Sequence, residues 1–374
     1  MSINPEKVKT ILGKNILADG FDPIIDLDKS HGSWLVDHRN GQEFLDMFSM
    51  YASGAVGYNH PYIVKHQDIL GKLSINKTTL SDIYNTYYAE FIEVFNKIAV
   101  PKNLKHAFFI DGGSLAVENA LKAAFDWKKR HNLNKGIRKE GNKVIYFNQA
   151  FHGRSGYTLT LTNTSDPRKT MYFPKFPWFK VDNPYLEFPI NETSVQQTID
   201  HENQVIDSIK KIVNKNKDDI AAIIIEPIQG EGGDNHFRND FMKSLYDICH
   251  NEEALLIFDE VQTGIGITGK MWAHENFLDN NKIIKPDVIS FGKKSQVCGI
   301  LAGDRVLEVE NNVFQESSRI NSTFGGSLVD MVRFKIILET IDKFSLLKNA
   351  QKCGSILLEN IKSLEANFPG FVSN

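Results

Sequence analysis

Five short apolar runs punctuate the chain at 106–110 (HAFFI), 143–147 (KVIYF), 221–225 (AAIII), 254–258 (ALLIF) and 287–291 (DVISF). Their β-branched, aromatic and aliphatic side chains are continuous rather than alternating, the composition of strands covered on both faces of a parallel sheet. Amphipathic stretches with helical spacing separate several of them, notably Ser114 to Arg130 and Phe237 to Glu252. Strands alternating with helices predict an α/β domain with a mainly parallel sheet. Before about residue 60 the pattern changes: SHGSWLVDHRNGQEFLDM reads as two strands joined at Asn40-Gly41, in a small N-terminal segment. From Leu328 to about Phe368 the spacing is helical. The expected organisation is therefore an N-terminal segment (1–60), a large domain (61–327) and the helical start of a C-terminal domain (328–374).

Polar and glycine-rich residues collect just after the apolar runs. HAFFI leads into Asp111-Gly112-Gly113-Ser114, KVIYF into Asn148 through Arg154, and AAIII into Glu226-Pro227. The last two lead into Asp259-Glu260-Val261-Gln262 and Gly292-Lys293-Lys294. Open α/β sheets bind ligands outside the carboxyl ends of their strands, so these five junctions predict one composite site. The turn at Gly112-Gly113-Ser114, between a strand and a helix, suits an anion held by backbone N–H groups and the helix dipole. A plain turn with Ser114 as helix cap reads equally well, and the dinucleotide fingerprint G-x-G-x-x-G is absent. Asp259 ends a buried strand, where a carboxylate needs a cation such as a protonated pyridine nitrogen, or a set of backbone donors. Lys293 poses the complementary problem: a buried amine is eased by a lowered pKa or by a covalent imine, unless it simply reaches solvent.

Composition narrows the class without choosing the chemistry. The 374 residues are enough for a large core, and 41% hydrophobic with 24% charged residues is ordinary for a folded protein. A formal charge of −3, from interspersed acids and bases, favours neither nucleic acid nor an anionic membrane. The lysines between 210 and 217 read as one solvated helix face. Cys249, Cys298 and Cys353 are too scattered for a disulfide framework or a Cys-based zinc site, and no metal site is expected. The opening residues lack an apolar signal core or a transit composition, and no run approaches a membrane span, so a cytoplasmic protein is expected.

The constellation is more specific than its members. From about Ser30 onward the chain resembles the class III aminotransferases, chiefly through Phe258-Asp259-Glu260-Val261-Gln262-Thr263-Gly264 and the segment from Asp287 to Lys293. The resemblance implies an aspartate-aminotransferase-like α/β fold (fold type I) that carries pyridoxal 5′-phosphate. It also implies a homodimer with shared active sites. The spacing from Asp287, with Gly292 directly before it, selects Lys293 as the Schiff-base lysine and leaves Lys294 as the fallback. Gly113 and Ser114 would hold the phosphate, with Thr323 of the second subunit; Phe151 would stack on the ring, Asp259 would pair with its nitrogen and Gln262 with its phenolic oxygen.

GSWLVD (32–37), AVENALKAAFDWKKRHN (116–132), AFHGRSGYTLTLTNT (150–164), EPIQGEGGD (226–234), FGKKSQVCG (291–299) and NSTFGG (321–326) go further. They resemble the branch whose members move the ε-amino group of L-lysine to 2-oxoglutarate. That implies Arg154 for the substrate's distal carboxylate, and Glu226 and Glu231 beside the substrate, with Glu231 pairing with a second arginine in the lysine half-reaction. The class carries that arginine in a C-terminal region this chain, ending at Asn374, is expected to lack, leaving Glu231 without its cation. Ornithine or 4-aminobutyrate as donor, and a non-catalytic cofactor-binding subunit, are the competing readings; a nucleotide-binding dehydrogenase is a poor third.

Overall fold

A computed structural model of the chain describes residues 3–368. Its frame is a seven-stranded sheet built from β1 (His106–Ile110), β2 (Lys143–Phe147), β3 (Phe179–Val181), β4 (Ile220–Ile225), β5 (Leu255–Asp259), β6 (Val288–Phe291) and β7 (Cys298–Ala302). The spatial order is β1-β7-β6-β5-β4-β2-β3. All the pairings among β6, β5, β4, β2 and β3 are parallel, and β7 alone runs against its neighbours β6 and β1. The five strands expected from the apolar runs form within a residue or so of their expected ends.

Two strands escape a reading by composition. β3 is a three-residue edge strand inside a Pro- and aromatic-rich stretch, and β7 follows β6 too closely for a parallel crossover. The reversed direction of β7 resolves that problem, because an antiparallel neighbour needs only a short connection.

Alternation along the strands divides the core in two. Leu256 and Phe258 of β5, with Ile289 and Phe291 of β6, face a layer containing the helices α1 (Thr86–Ile98), α3 (Glu192–Lys215), α4 (Asn239–Asn251) and α5 (Leu328–Lys343). Leu255, Ile257 and Val288 face the helix α2 (Gly113–Asn134), whose buried Val117, Ala120, Leu121 and Ala124 keep it close to the sheet. Continuous apolar strands are thus explained by cover on both faces. The lysine-rich end of α3 buries Ile209 and Val213 and leaves its lysines at the surface. The N-terminal hairpin pairs Trp34–Val36 with Glu43–Leu45, as the Asn40-Gly41 turn predicts.

The helical stretch from Leu328 breaks at Ser345, which sits in the left-handed region at φ 51°. Its first half, α5, adds Met331, Phe334 and Ile337 to the same core as Phe91, Phe95 and Phe109, so packing is continuous across residue 328. Its second half, Leu346–Asn367, buries no side chain. Among the described residues no helix is long and apolar enough to cross a membrane.

The turn after β5 is fixed by the fully buried Glu260. Its carboxylate accepts from Thr263 Oγ1 (2.6 Å), Ala273 N (3.0 Å), His274 N (2.8 Å) and His274 Nδ1 (2.9 Å). Glu260→Ala leaves these donors buried without an acceptor, and breaking such a buried network costs about 3–5 kcal/mol. Urea unfolding should show a loss of that size; a loss below about 1 kcal/mol, the range of an exposed pair, would contradict this role.

Candidate active site

The polar residues that follow β1, β2, β4, β5 and β6 gather outside the carboxyl ends of those strands. At their centre, Asp259 closes β5 and is 4% exposed. Parallel pairing with β6 sets Ser290 beside it in register, and Ser290 Oγ donates to Asp259 Oδ1 at 2.9 Å. Val261 N donates to the same oxygen at 3.1 Å. His152 Nδ1 lies 2.8 Å from Asp259 Oδ2 and donates to it when that nitrogen carries the proton. An ionised buried carboxylate needs such donors, yet the three leave acceptor capacity on Oδ2. His152 is itself buried, and its Nε2 has no partner among the described residues.

Lys293 follows β6 with φ 53°, in a backbone conformation unusual for a side chain of its size. Among the described residues no hydrogen bond or ion pair engages its Nζ. Burial pushes this amine below the ordinary lysine range, against the opposing pull of the Asp259, Glu226 and Glu231 carboxylates. Glu226, at the end of β4, is 4% exposed and accepts from Phe151 N at 3.0 Å. Burial first, and the nearby Asp259 charge second, raise its carboxyl well above the usual range.

Burial pushes the Lys294 amine down as well, to about 8, so what separates it from its neighbour is its hydrogen bonding. Its buried Nζ donates to the carbonyls of Ala52 and Gln262. Ala52 ends a left-handed turn in which Ser49, Met50, Tyr51 and Ala52 have φ between 48° and 60°, a conformation that costs roughly 1–2 kcal/mol per non-glycine residue. Gln296 Nε2 donates to Ser53 O at 3.3 Å, so Lys294 and Gln296, both just after Lys293, hold the end of this turn. Lys294 is thereby committed to structure, and the amine left uncommitted is Lys293.

Opposite these groups, α2 begins at Gly113. Its N-cap, Gly112, gives no side-chain cap, and Ala116 N is the first donor to turn back into the helix, onto Gly112 O at 3.0 Å. The preceding N–H groups at the positive end of the dipole are therefore available to an anion. Ser114 is not the cap the alternative reading allowed: it lies one residue inside the helix. Its Oγ bonds Ser155 Oγ (2.5 Å) and Thr158 Oγ1 (2.7 Å), and Ser155 Oγ donates to Glu118 at 2.6 Å. A hydroxyl cluster thus fixes the loop that carries Phe151 and the exposed Arg154, whose guanidinium has no partner among the described residues.

Gln262 and Glu231 complete the rim. A Cβ at Gly230 would come within 2.8 Å of Gln262 Nε2, which brings the turn bearing Glu231 against the Gln262 side chain. The expectation that Glu231 lacks a cation is overturned. Lys169 Nζ, from the turn Pro167–Lys169, forms an ion pair with its carboxylate. Composition could not reveal this pair, because the partners stand 62 positions apart in the chain. Thr323 is exposed, in a segment held against residues 80–81 by Leu80 N to Phe324 O (3.1 Å) and Ser81 Oγ to Ser322 O (3.1 Å).

Sequence reasoning missed His152, Ser290 and Lys169 as parts of this site. The signal for His152 was its place in the polar loop between Phe151 and Arg154. Ser290 becomes visible only through the register of β6 on β5.

Pyridoxal phosphate fits this donor set. The uncapped helix start at Gly113 can take its phosphate, Asp259 can take a ring N–H, and Lys293 is free to hold its aldehyde carbon. Close packing of Gly113 on Val261, where a Cβ would meet Val261 Cγ1 at 2.9 Å, keeps that helix start against the sheet edge.

Only an uncharged amine acylates, and burial lets Lys293 lose its proton at lower pH than exposed lysines, which titrate near ~10.4. In cofactor-free protein, acetic anhydride labelling followed by peptide mapping should give Lys293 an inflection below that of the surface lysines, with Lys294 protected. An inflection for Lys293 at or above the surface value would refute this environment.

Comparison with known proteins agrees with the geometry. The pattern of the class-III aminotransferases matches residues 17–373. The chain is 46% identical over 372 residues to the L-lysine-epsilon aminotransferase of Mycobacterium tuberculosis, covering 98% of this chain and 81% of that one. It is 43% identical to the L-lysine-epsilon aminotransferase of Amycolatopsis lactamdurans, over 98% of this chain and 81% of that one. The solved structure of lysine aminotransferase from M. tuberculosis superposes with a TM-score of 0.94 at 45% identity, covering 99% of this chain and 84% of that one. Fold, site and sequence together make this chain a pyridoxal-phosphate-dependent enzyme of the class-III aminotransferase family.

Proposed function

We propose that the chain transfers the ε-amino group of L-lysine to 2-oxoglutarate, giving 2-aminoadipate 6-semialdehyde and L-glutamate. The observation that carries this reading is the uncommitted Lys293 amine beside Asp259 and Glu226, in a chain 46% identical to relatives that bear the name L-lysine-epsilon aminotransferase. When bound, pyridoxal phosphate supplies an electron sink for the charge left on the substrate carbon as its proton departs.

The chain's residues do the rest. Lys293 would hold the cofactor through Nζ and, when free, would move the proton to and from the substrate carbon; burial pushes its amine below the ordinary lysine range, the direction a general base needs. Asp259 keeps the ring nitrogen protonated with the acceptor capacity left on Oδ2. His152 and Ser290 hold that carboxylate in place. The N–H groups of Gly113 and Ser114 receive the phosphate, while the Ser114 hydroxyl braces the neighbouring loop. Phe151 would cover the ring and Gln262 would donate to its phenolic oxygen. Arg154, free of internal partners, takes a substrate carboxylate bidentately, and Glu226 and Glu231 line the path of the amine. In a homodimer, Thr323 of each subunit would reach the partner's phosphate site, which accounts for its exposure here. A cytoplasmic setting completes the reading.

A donor panel tests the substrate. With 2-oxoglutarate as acceptor, L-lysine should exceed L-ornithine and 4-aminobutyrate in kcat/KM by at least about tenfold, the worth of one well-placed contact. Preference for either competitor would replace lysine as donor while leaving the chemistry intact.

Asp259→Asn should still bind cofactor, seen by its absorbance, but lose turnover. A neutral amide no longer favours the protonated ring nitrogen; a lost buried charge pair of about 3–5 kcal/mol corresponds to at least about a hundredfold in rate. Near-normal turnover would make Asp259 a structural carboxylate only.

A further inference from the structure

Two neighbouring basic residues on one short turn are used differently. Asp166 caps the turn Pro167–Lys169 by accepting from Arg168 N at 3.1 Å, and it also binds the exposed Arg168 guanidinium at 2.9 Å. Lys169 is left to point the other way, into its ion pair with Glu231, with 29% and 30% of the two side chains exposed. Glu231 is held at the rim from two sides. Gly230 abuts Gln262, and a Cβ at Gly232 would lie 2.4 Å from Gln149 O. Beneath it, Gln229 Oε1 accepts from Asn183 Nδ2 at 2.6 Å and Asn235 Nδ2 at 2.9 Å, which anchors the hairpin carrying the turn.

The Asp259 and Glu231 carboxylates act on the Lys293 amine, and the buried Glu226 carboxyl, held well above the usual range, stands beside them. This suits a diamine donor, which brings one more ammonium than carboxylate. It opposes a dicarboxylate acceptor, which brings two carboxylates and no cation. We propose that Lys169 is a specificity-determining residue: it cancels the charge of Glu231 at the rim and so lets a second carboxylate enter beside the one that Arg154 takes. A lysine suits this task, since its compact charge sits on a flexible four-carbon stem that can shift from Glu231 toward an entering carboxylate. The inference rests on the proposed exchange between a diamine and a dicarboxylate.

The test uses the holoenzyme and its Lys169→Met, Lys169→Arg and Lys169→Met/Glu231→Gln variants. Binding of glutarate, a dicarboxylate without the reacting carbonyl, is measured by calorimetry alongside steady-state KM values for L-lysine and 2-oxoglutarate. Lys169→Met should weaken glutarate and raise KM for 2-oxoglutarate by about tenfold or more while KM for L-lysine moves less than about threefold, because the uncancelled Glu231 charge repels only the dianion. Lys169→Arg should restore most of the loss, and so should adding Glu231→Gln. The difference should shrink as salt is raised, since the pair is partly exposed. Equal weakening of both substrates, or no change in glutarate affinity, would overturn the role of Lys169. A wild-type enzyme that binds glutarate but ignores L-lysine would instead overturn the assigned donor, and the glutarate comparison would still decide the role of Lys169.

Discussion

The site is organised by the need to satisfy a carboxylate at the end of a buried strand. Asp259 sits at 4% exposure among aliphatic neighbours, where desolvation costs several kcal/mol unless donors replace water. Ser290 comes from the adjacent strand, Val261 from the turn that follows, and His152 from the loop after β2. Each is placed by a different element, so the sheet register, the β5 turn and the β2 loop must all be correct together. The three donors leave acceptor capacity on Asp259 Oδ2, which the proposed function assigns to a ring nitrogen.

A second constraint separates two adjacent lysines. Lys294 is drawn into the interior by the carbonyls of Ala52 and Gln262, and it secures a left-handed turn that would otherwise be costly. Lys293, next in the chain and with φ 53°, is turned away from those carbonyls into a cluster of acids. Burial lowers its pKa and the acids raise it, with burial dominant. A half-buried amine whose pKa is pushed down among carboxylates is the kind of perturbed group that marks functional clefts.

The rim obeys the same electrostatic logic at lower cost. Glu231 and Lys169 keep about a third of their surface in water, where a pair is worth little to stability. Its effect is on which charges can approach. Among the described residues Arg154 has no partner, so its guanidinium remains open to a carboxylate from outside. The interior therefore sets the chemistry, and the rim sets the charge balance of what reaches it.

Much of this was written locally. Unbroken apolar runs at 106–110, 143–147, 221–225, 254–258 and 287–291 determined five strands and their shared parallel direction, because strands covered on both faces have no polar side to show. Polar residues after each run then marked the site, and the order of Asp259, Gln262, Asp287 and Lys293 carried the resemblance to the class. β7 was not legible, since its direction follows from pairing between β6 and β1 rather than from composition. Nor were the partners of the charged groups. Ser290 meets Asp259 through strand register, His152 meets it across 107 positions, Lys294 meets Ala52 across 242, and Lys169 meets Glu231 across 62. The sequence by itself determined which residue types stand at the strand ends, because local patterning depends on near neighbours. Only the tertiary structure decided which of them are paired and which are free, because hydrogen bonds and ion pairs depend on distances that the fold creates.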